Sequence, residues 1–210
     1  MALAVSGVPY RHLVGIEAPG FSDVWLVDVR SGGRHRVIER RQVDEAHLSP
    51  DARYLAWFDH GDLHWHAWDV GRREQANLTE RLPYPVWDEE DDHPMPPSPD
   101  GMVGWTTADD ELLLYDRYDI WAVDPDGRAA PRRVTEGYGR ERGLVLRHVP
   151  LDRDAEVIEP GEDLLLSSFD PRTKEAGFFR DRVQGAQRPH ALVLAPKLNT
   201  GSQRLITKEA

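Results

Sequence analysis

The densest run of ligand-type side chains is Asp88-Glu89-Glu90-Asp91-Asp92-His93. Carboxylates and an imidazole set this close suit two kinds of chemistry. Oxygen ligands hold hard cations such as calcium. Paired carboxylates hold an ammonium group through charge-assisted hydrogen bonds. The spacing of Asp88, Asp91, Asp92 and His93 lacks the glycine-containing alternation of an EF-hand loop. Charge runs usually face water, so a solvated acidic loop is expected here and no metal site.

A second concentration is His60, His64 and His66. On a strand, His64 and His66 would flank Trp65 and share one face. Two imidazoles can begin a zinc site. No third ligand is evident, and His60 falls in the turn before them, so packed or surface histidines are expected. Covalent chemistry has little to work with. The chain has no cysteine, which removes thiol catalysis, disulfides and Cys-based zinc sites. No Gly-x-Ser-x-Gly occurs. Gly20-Phe21-Ser22-Asp23-Val24 comes nearest, but places Val24 where a nucleophile elbow needs its second small residue. No Gly-x-Gly-x-x-Gly or P-loop is present. Carboxylates are too many for a glycosidase pair to be singled out. No catalytic residue and no cofactor are expected.

The elements that must position these groups are strands. Apolar runs with period two, bounded by Gly, Pro and Asp, predict strands at 12–16, 24–29, 36–39, 54–58, 63–68, 103–106, 111–115, 120–123, 132–135, 144–150, 163–169, 177–183, 190–195 and 204–207. They recur as a cassette. Leu48-Ser49-Pro50-Asp51 leads into an apolar strand, a tight turn, and a strand opened and closed by Asp62 and Asp69. Trp105-Thr106-Thr107-Ala108-Asp109 leads likewise into Asp119 and Asp124. Anchored on Asp62 and Asp119 the period is 57, and a half-copy at Asp23–Asp28 lies 39 residues upstream. A weaker third copy runs from Pro160 through Phe169, with Asp170–Glu175 as its hairpin loop. All-strand repeats spaced by roughly 40–50 residues signal a β-propeller, since one four-stranded blade cannot bury both faces alone. The expected fold is therefore all-β, a partial β-propeller of about four blades, each a four-stranded antiparallel sheet, in a single domain over residues 1–210. Its open edge strands predict self-association.

Residues 82–101 interrupt the repeat. Pro83, Pro85, Pro94, Pro96, Pro97 and Pro99 block helix and inner strand alike. This Pro-rich acidic insertion is either disordered or an ordered loop with a task. The recurring Trp25, Trp65, Trp68, Trp105 and Trp121 are expected between blades rather than as a sugar-stacking surface. Asn77-Leu78-Thr79 fits the glycosylation sequon and reads more simply as a strand-end turn. The net charge of −11 opposes nucleic-acid binding and attraction to anionic membranes. No stretch approaches 18 apolar residues, so no membrane-spanning helix is expected. No secretory leader is recognised at Met1–Gly7.

Several of these segments together are similar to a known family. Asn77-Leu78-Thr79, Asp88–Pro94, Gly104-Trp105-Thr106, Leu112-Leu113-Leu114-Tyr115-Asp116-Arg117-Tyr118-Asp119-Ile120-Trp121 and Ser168–Lys174 resemble the propeller region of bacterial prolyl oligopeptidase-family serine peptidases. The likeness covers roughly residues 20–185. In that family a propeller restricts which substrates reach an α/β-hydrolase domain. The resemblance implies a non-catalytic gating module whose partners are a hydrolase domain and peptide substrates. In the dipeptidyl peptidase branch a propeller-borne Glu pair binds the substrate's free amino terminus, which assigns that role to Glu89 and Glu90. Two alternatives stand beside it: a free-standing propeller that binds a protein or small ligand, and a small propeller enzyme acting on carbohydrate.

Overall fold

The computed structural model describes residues 1–185 and 187–196. Among them the chain is mostly β, with four antiparallel sheets, none closed on itself. Sheet I holds β1 (Ala2–Ser6), β2 (Ser22–Val27) and β3 (Arg34–Arg41). Sheet II holds β4 (Val43–Leu48), β5 (Tyr54–Asp59), β6 (His64–Asp69) and β7 (Glu74–Asn77). Sheet III holds β8 (Met102–Trp105), β9 (Leu112–Tyr115), β10 (Ile120–Val123) and β11 (Arg132–Arg133). Sheet IV holds β12 (Val145–His148), β13 (Asp163–Phe169), β14 (Glu175–Arg182) and β15 (His190–Pro196). Every sheet is a meander in which strands adjacent in sequence are hydrogen-bonded.

The burial pattern shows how the sheets are layered. A strand covered on one face alternates, while one covered on both is buried throughout. β5, β9 and β10 are buried at every position, whereas β13 alternates strictly between buried and more accessible residues. Sheets II and III are therefore interior and sheet IV is terminal. Along β5, Leu55 and Trp57 join Val24 and Ile38 of sheet I. The alternate residues Tyr54, Ala56 and Phe58 join Leu112 and Leu114 of sheet III. Leu113 and Tyr115 of β9 turn the other way, onto Leu146, Leu166 and Phe179 of sheet IV. Each fully buried Leu or Phe contributes about 1.5–3 kcal/mol, so these three cores hold the layers together.

The sequence repeat is real, but its spacing differs from the pattern anchored on Asp62. Asp28, Asp69 and Asp124 each stand at the end of a strand or one residue past it and accept an N–H of the hairpin turn that follows, from Arg30 (2.9 Å), Arg72 (2.7 Å) and Asp126 (2.9 Å). They stand 41 and 55 residues apart. The same steps align Asp23 with His64 and Asp119, not with Asp62. The chemistry agrees: His64 Nδ1 lies 3.0 Å from Thr79 Oγ1, and Thr135 Oγ1 donates to Asp119 at 2.7 Å. Asp62 belongs to a longer β5–β6 turn. Residues 60–63 separate Asp59 from His64, whereas Arg117 and Tyr118 alone separate the equivalent Asp116 from Asp119. The 82–101 segment accounts for the larger of the two steps.

Two further differences concern strands. The expected strand at 12–16 is instead the end of a 3-10 turn, Val8–Leu13, with Pro at its start, where a fixed φ and a missing N–H cost nothing. Strands β1, β4 and β7 are additional to the expected set; β4 and β7 carry too few apolar residues for period two to register. The expected strand at 204–207 lies outside the described residues. The one α-helix among the described residues, α1 (Tyr138–Arg142), is short, and no helix there is long and apolar enough to cross a membrane.

Candidate functional site

Residues 82–101 form an ordered loop between β7 and β8. Val86 inserts into the core between sheets II and III. Asp88 N–H donates to Ser98 O and Asp100 N–H to Val86 O, each at 2.9 Å, closing a short ribbon around a Trp87–Pro99 bridge. Proline takes the ribbon positions where no donor is required. At the tip, Asp88 Oδ1 accepts Glu90 N–H at 3.0 Å and Asp91 Oδ1 accepts His93 N–H at 2.9 Å. The acidic side chains thus shape their own turns.

Arginines from three elements meet this loop. Glu89 Oε1 lies 3.0 Å from Arg140 Nη2 of α1, and Glu90 Oε1 lies 2.5 Å from Arg117 Nη2 of the β9–β10 turn. Asp100 Oδ1 lies 3.2 Å from Arg147 Nη2 of β12. Arg140 is also held over the Tyr84 ring at 3.9 Å and within 3.5 Å of Asp116 Oδ2. Glu89 and Glu90 are therefore on one surface, yet each already has a guanidinium. The pair offers an incoming ammonium less negative charge than the sequence alone suggests. Sequence reading missed Arg140 and Arg147 because nothing local marks an arginine that pairs 47 or 51 residues away.

The first strands of sheets II, III and IV bring a second set of titratable groups together. A Cβ on Gly101 would sit 3.7 Å from Glu45 Oε1 and 4.0 Å from the Tyr115 ring. Tyr115 OH in turn accepts His148 N–H at 2.9 Å. Burial, then the neighbouring Asp44, raises the Glu45 carboxyl above its ordinary range. Burial lowers His47 and His148, favouring neutral imidazoles. Burial also lifts Asp100 to about 6, outweighing Arg147, with Asp116, Asp88 and Glu89 adding to the rise. A cavity of about 480 Å³ opens beside His148, bounded by Met102, Gly104, Tyr115, Ile158 and Leu164. Perturbed groups beside a concave surface mark a candidate binding site.

No protein-family model matches the chain, and no curated protein matches it. The likeness to prolyl oligopeptidase-family propellers rests on the quoted segments alone.

The remaining candidates separate. Ser22 opens β2 in an antiparallel sheet, so Gly20–Val24 is not a strand-to-helix elbow. His60 Nε2 lies 3.5 Å from Asp44, and His64 turns to Thr79. His66 instead meets two carboxylates, since atoms of Asp59, Asp62 and His66 all lie within 4.8 Å of one another. Asp91, Asp92 and His93 form a comparable but more exposed group. Asn77 Oδ1 accepts Thr79 N–H at 3.1 Å and Glu80 N–H at 3.0 Å, which makes the sequon a strand-end turn. Of the five recurring tryptophans, Trp65 and Trp105 join the core between sheets II and III, Trp121 is buried, and Trp25 and Trp68 are only partly buried.

Proposed function

We propose that the chain is a β-propeller-type module without a catalytic site of its own, related in role to the propellers that restrict peptide access in prolyl oligopeptidase-family enzymes. What supports the reading most is the layering. Four meander sheets follow one another in chain order, and strands β5 and β9 present alternate residues to the sheet before and the sheet after. That is how successive propeller blades share their cores. The first strands β4 and β12, with the residues that lead into β8, then supply the ligand-facing edge, where Glu45, Asp100, Arg147 and His148 gather. Glu89 and Glu90 lie on the adjoining loop, and a peptide amino terminus reaching them competes with Arg140 and Arg117.

Two measurements test this. A fluorophosphonate probe leaves the protein unlabelled; covalent labelling of any serine overturns the non-catalytic reading. Short peptides titrated with free and acetylated amino termini distinguish the roles of the loop. Tighter binding of the free form, lost in Glu89→Gln, supports an amine receptor, and equal binding assigns the loop to structure. A second reading, a free-standing module that binds a small ligand, is favoured by the cavity beside His148. Saturable binding abolished by Gly104→Trp, with peptides inert, would select it.

A further inference from the structure

The repeat itself exposes an irregularity at the β5–β6 hairpin. Trp25, His66 and Trp121 occupy the same position in sheets I, II and III, by the steps of 41 and 55 residues that align the closing aspartates. In sheet III the indole Nε1 of Trp121 donates to Asp116 Oδ2 at 3.0 Å. An indole is a donor only and cannot bind a metal. In sheet II the same position carries an imidazole, and Asp59 stands where Asp116 stands. The two additional residues of this turn bring in another carboxylate, Asp62, whose Oδ2 lies 3.0 Å from His66 Nε2. The repeat has exchanged a donor for a ligand and gained a second anionic oxygen at the same spot.

The surroundings fix that imidazole. His66 is buried and stacks on Trp57, with ring centroids 5.5 Å apart. Its Nδ1 lies 3.1 Å from the Gln75 side-chain amide. The amide nitrogen, Nε2, is the atom that faces Nδ1; a half-turn of the amide presents Oε1 to Nδ1–H instead and leaves His66 Nε2 as a lone-pair ligand, the tautomer that outer-shell acceptors impose on metal-binding histidines. Asp59 is buried too, its Oδ1 held by Gly61 N–H at 2.8 Å. The nearest competing cation is Arg41, 3.7 Å from Asp59 Oδ2 and mostly exposed, so it can swing away.

We propose that Asp59, Asp62 and His66 bind a zinc-class divalent ion at the β5–β6 hairpin. One imidazole nitrogen and two carboxylate oxygens suit zinc and its late first-row neighbours better than calcium or magnesium, which favour oxygen alone. Three protein ligands leave a fourth position for water. This site is independent of the propeller reading above.

Calorimetric titration of the whole chain with zinc chloride, paralleled by the visible d–d absorption of cobalt(II), tests it. One saturable site is expected, with a melting temperature that rises with free zinc. Asp62→Asn changes a half-exposed side chain and keeps the fold. It weakens zinc at least tenfold, and His66→Gln does the same while near-ultraviolet dichroism reports the core. Asp91→Asn, in the other acidic group, leaves the affinity unchanged. Absence of saturable binding, or equal affinity in wild type and Asp62→Asn, overturns the proposal, as does loss of binding in Asp91→Asn alone.

Discussion

Ser49 Oγ donates a 2.5 Å hydrogen bond to Asp109 Oδ2 across 60 residues of sequence, and both side chains are buried. The same hydroxyl accepts Tyr54 N–H at 3.0 Å. Asp109 also accepts Asp51 N–H at 3.3 Å and Arg53 N–H at 3.4 Å. One carboxylate of sheet III therefore organises the whole Ser-Pro-Asp turn of sheet II. Ala108 and Asp109 sit at φ 60 and 54, in the left-handed region that costs other residues than glycine about 1 kcal/mol each. The contacts to sheet II offset that strain.

Removing this carboxylate is expected to be costly. Asp109→Ala orphans the buried Ser49 hydroxyl, at about 1–3 kcal/mol, and takes a partner from the N–H groups of Asp51 and Arg53, two exposed residues whose loss is smaller because water reaches them. A loss of about 3 kcal/mol in urea unfolding follows, with Asp109→Asn milder because its amide oxygen still accepts. Ser49→Ala and Asp109→Ala are expected to be non-additive by about 1 kcal/mol, since they share one bond. A total loss below about 0.5 kcal/mol, the range of ordinary surface changes, would show that the turn holds without its anchor.

Stability is expected to fall as the pH rises from about 4 to about 7. Burial raises Asp100 to about 6, and burial with the nearby Glu136 raises Asp181 to about 7, against an ordinary value of 3.8. A carboxyl raised in the folded state keeps its proton there after the unfolded chain has lost it. The folded form then binds more protons across that window, so stability declines with rising pH and levels off above it. Asp181→Asn should flatten the upper part of the decline and Asp100→Asn the lower part. Denaturation midpoints measured at half-unit pH steps decide the matter; an unchanged slope in both variants would refute it.

The fourth sheet depends on one close approach. A Cβ on Gly177 would collide with the carbonyl oxygen of Val193, a backbone atom that cannot rotate away. Gly177→Ala must push β15 from β14 at the point where they pair. A loss of about 2 kcal/mol is expected, typical of overpacking. Hydrogen exchange should accelerate at β15 amides while β5 and β9 stay protected. Uniform protection would mean that the strand pair absorbs the methyl group.

The acidic loop is pinned more weakly. Arg140→Ala removes the pairing to Glu89, the approach to the buried Asp116 carboxylate and the cover over Tyr84, but leaves Val86 in the core and Asp116 on its hydrogen bonds from Trp121 Nε1 and the N–H groups of Tyr118 and Asp119. Partly exposed ion pairs contribute up to about 1 kcal/mol and are screened by salt. The expected outcome is faster proteolysis within residues 82–101, mimicked in wild type by high salt, with global stability shifted by about 1 kcal/mol or less. A cooperative loss of the whole fold would contradict this.

The sequence disclosed the strand-rich layers because Leu112-Leu113-Leu114-Tyr115 and Tyr54–Phe58 are buried on both faces and so read as unbroken apolar runs. It disclosed the closing aspartates because Asp28, Asp69 and Asp124 satisfy turn N–H groups locally. It misplaced the opening one, since Asp62 and Asp119 look alike in sequence while His64 performs the task of Asp119. Strands β4 and β7 escaped notice because edge strands need few apolar side chains. The arginines that meet Glu89, Glu90 and Asp100 were hidden, as ion pairs between distant segments leave no periodic trace.

The layering also predicts association between copies. Along β2, Val24 is buried toward sheet II and the buried Leu26 shares its face by the alternation of the strand, so Trp25 between them faces away from the stack. Its equivalent Trp121 is opposite Leu114 on the face toward sheet II and is buried. Trp25 is instead only partly covered, beneath Arg34 and Arg36 at 5.8 and 5.4 Å. At the other end of the stack, Leu166 and Phe179 of sheet IV face the core. Phe178 and Val193 are paired on the opposite face, where Val193 is 44% and Phe169 40% exposed. Among the described residues, one terminal face therefore offers a partly covered indole and the other a partly exposed apolar strip, and stacking the first on the second continues the order of the layers. Sedimentation velocity is expected to show a concentration-dependent shift above the monomer in the micromolar range, removed by Trp25→Glu or by Val193→Lys. The end-to-end geometry predicts that equimolar Trp25→Glu and Val193→Lys recover a single contact, because each variant keeps the face the other has lost. A wild-type chain that stays a folded monomer at tens of micromolar, or a mixture that fails to pair while wild type assembles, would contradict stacking between unlike faces.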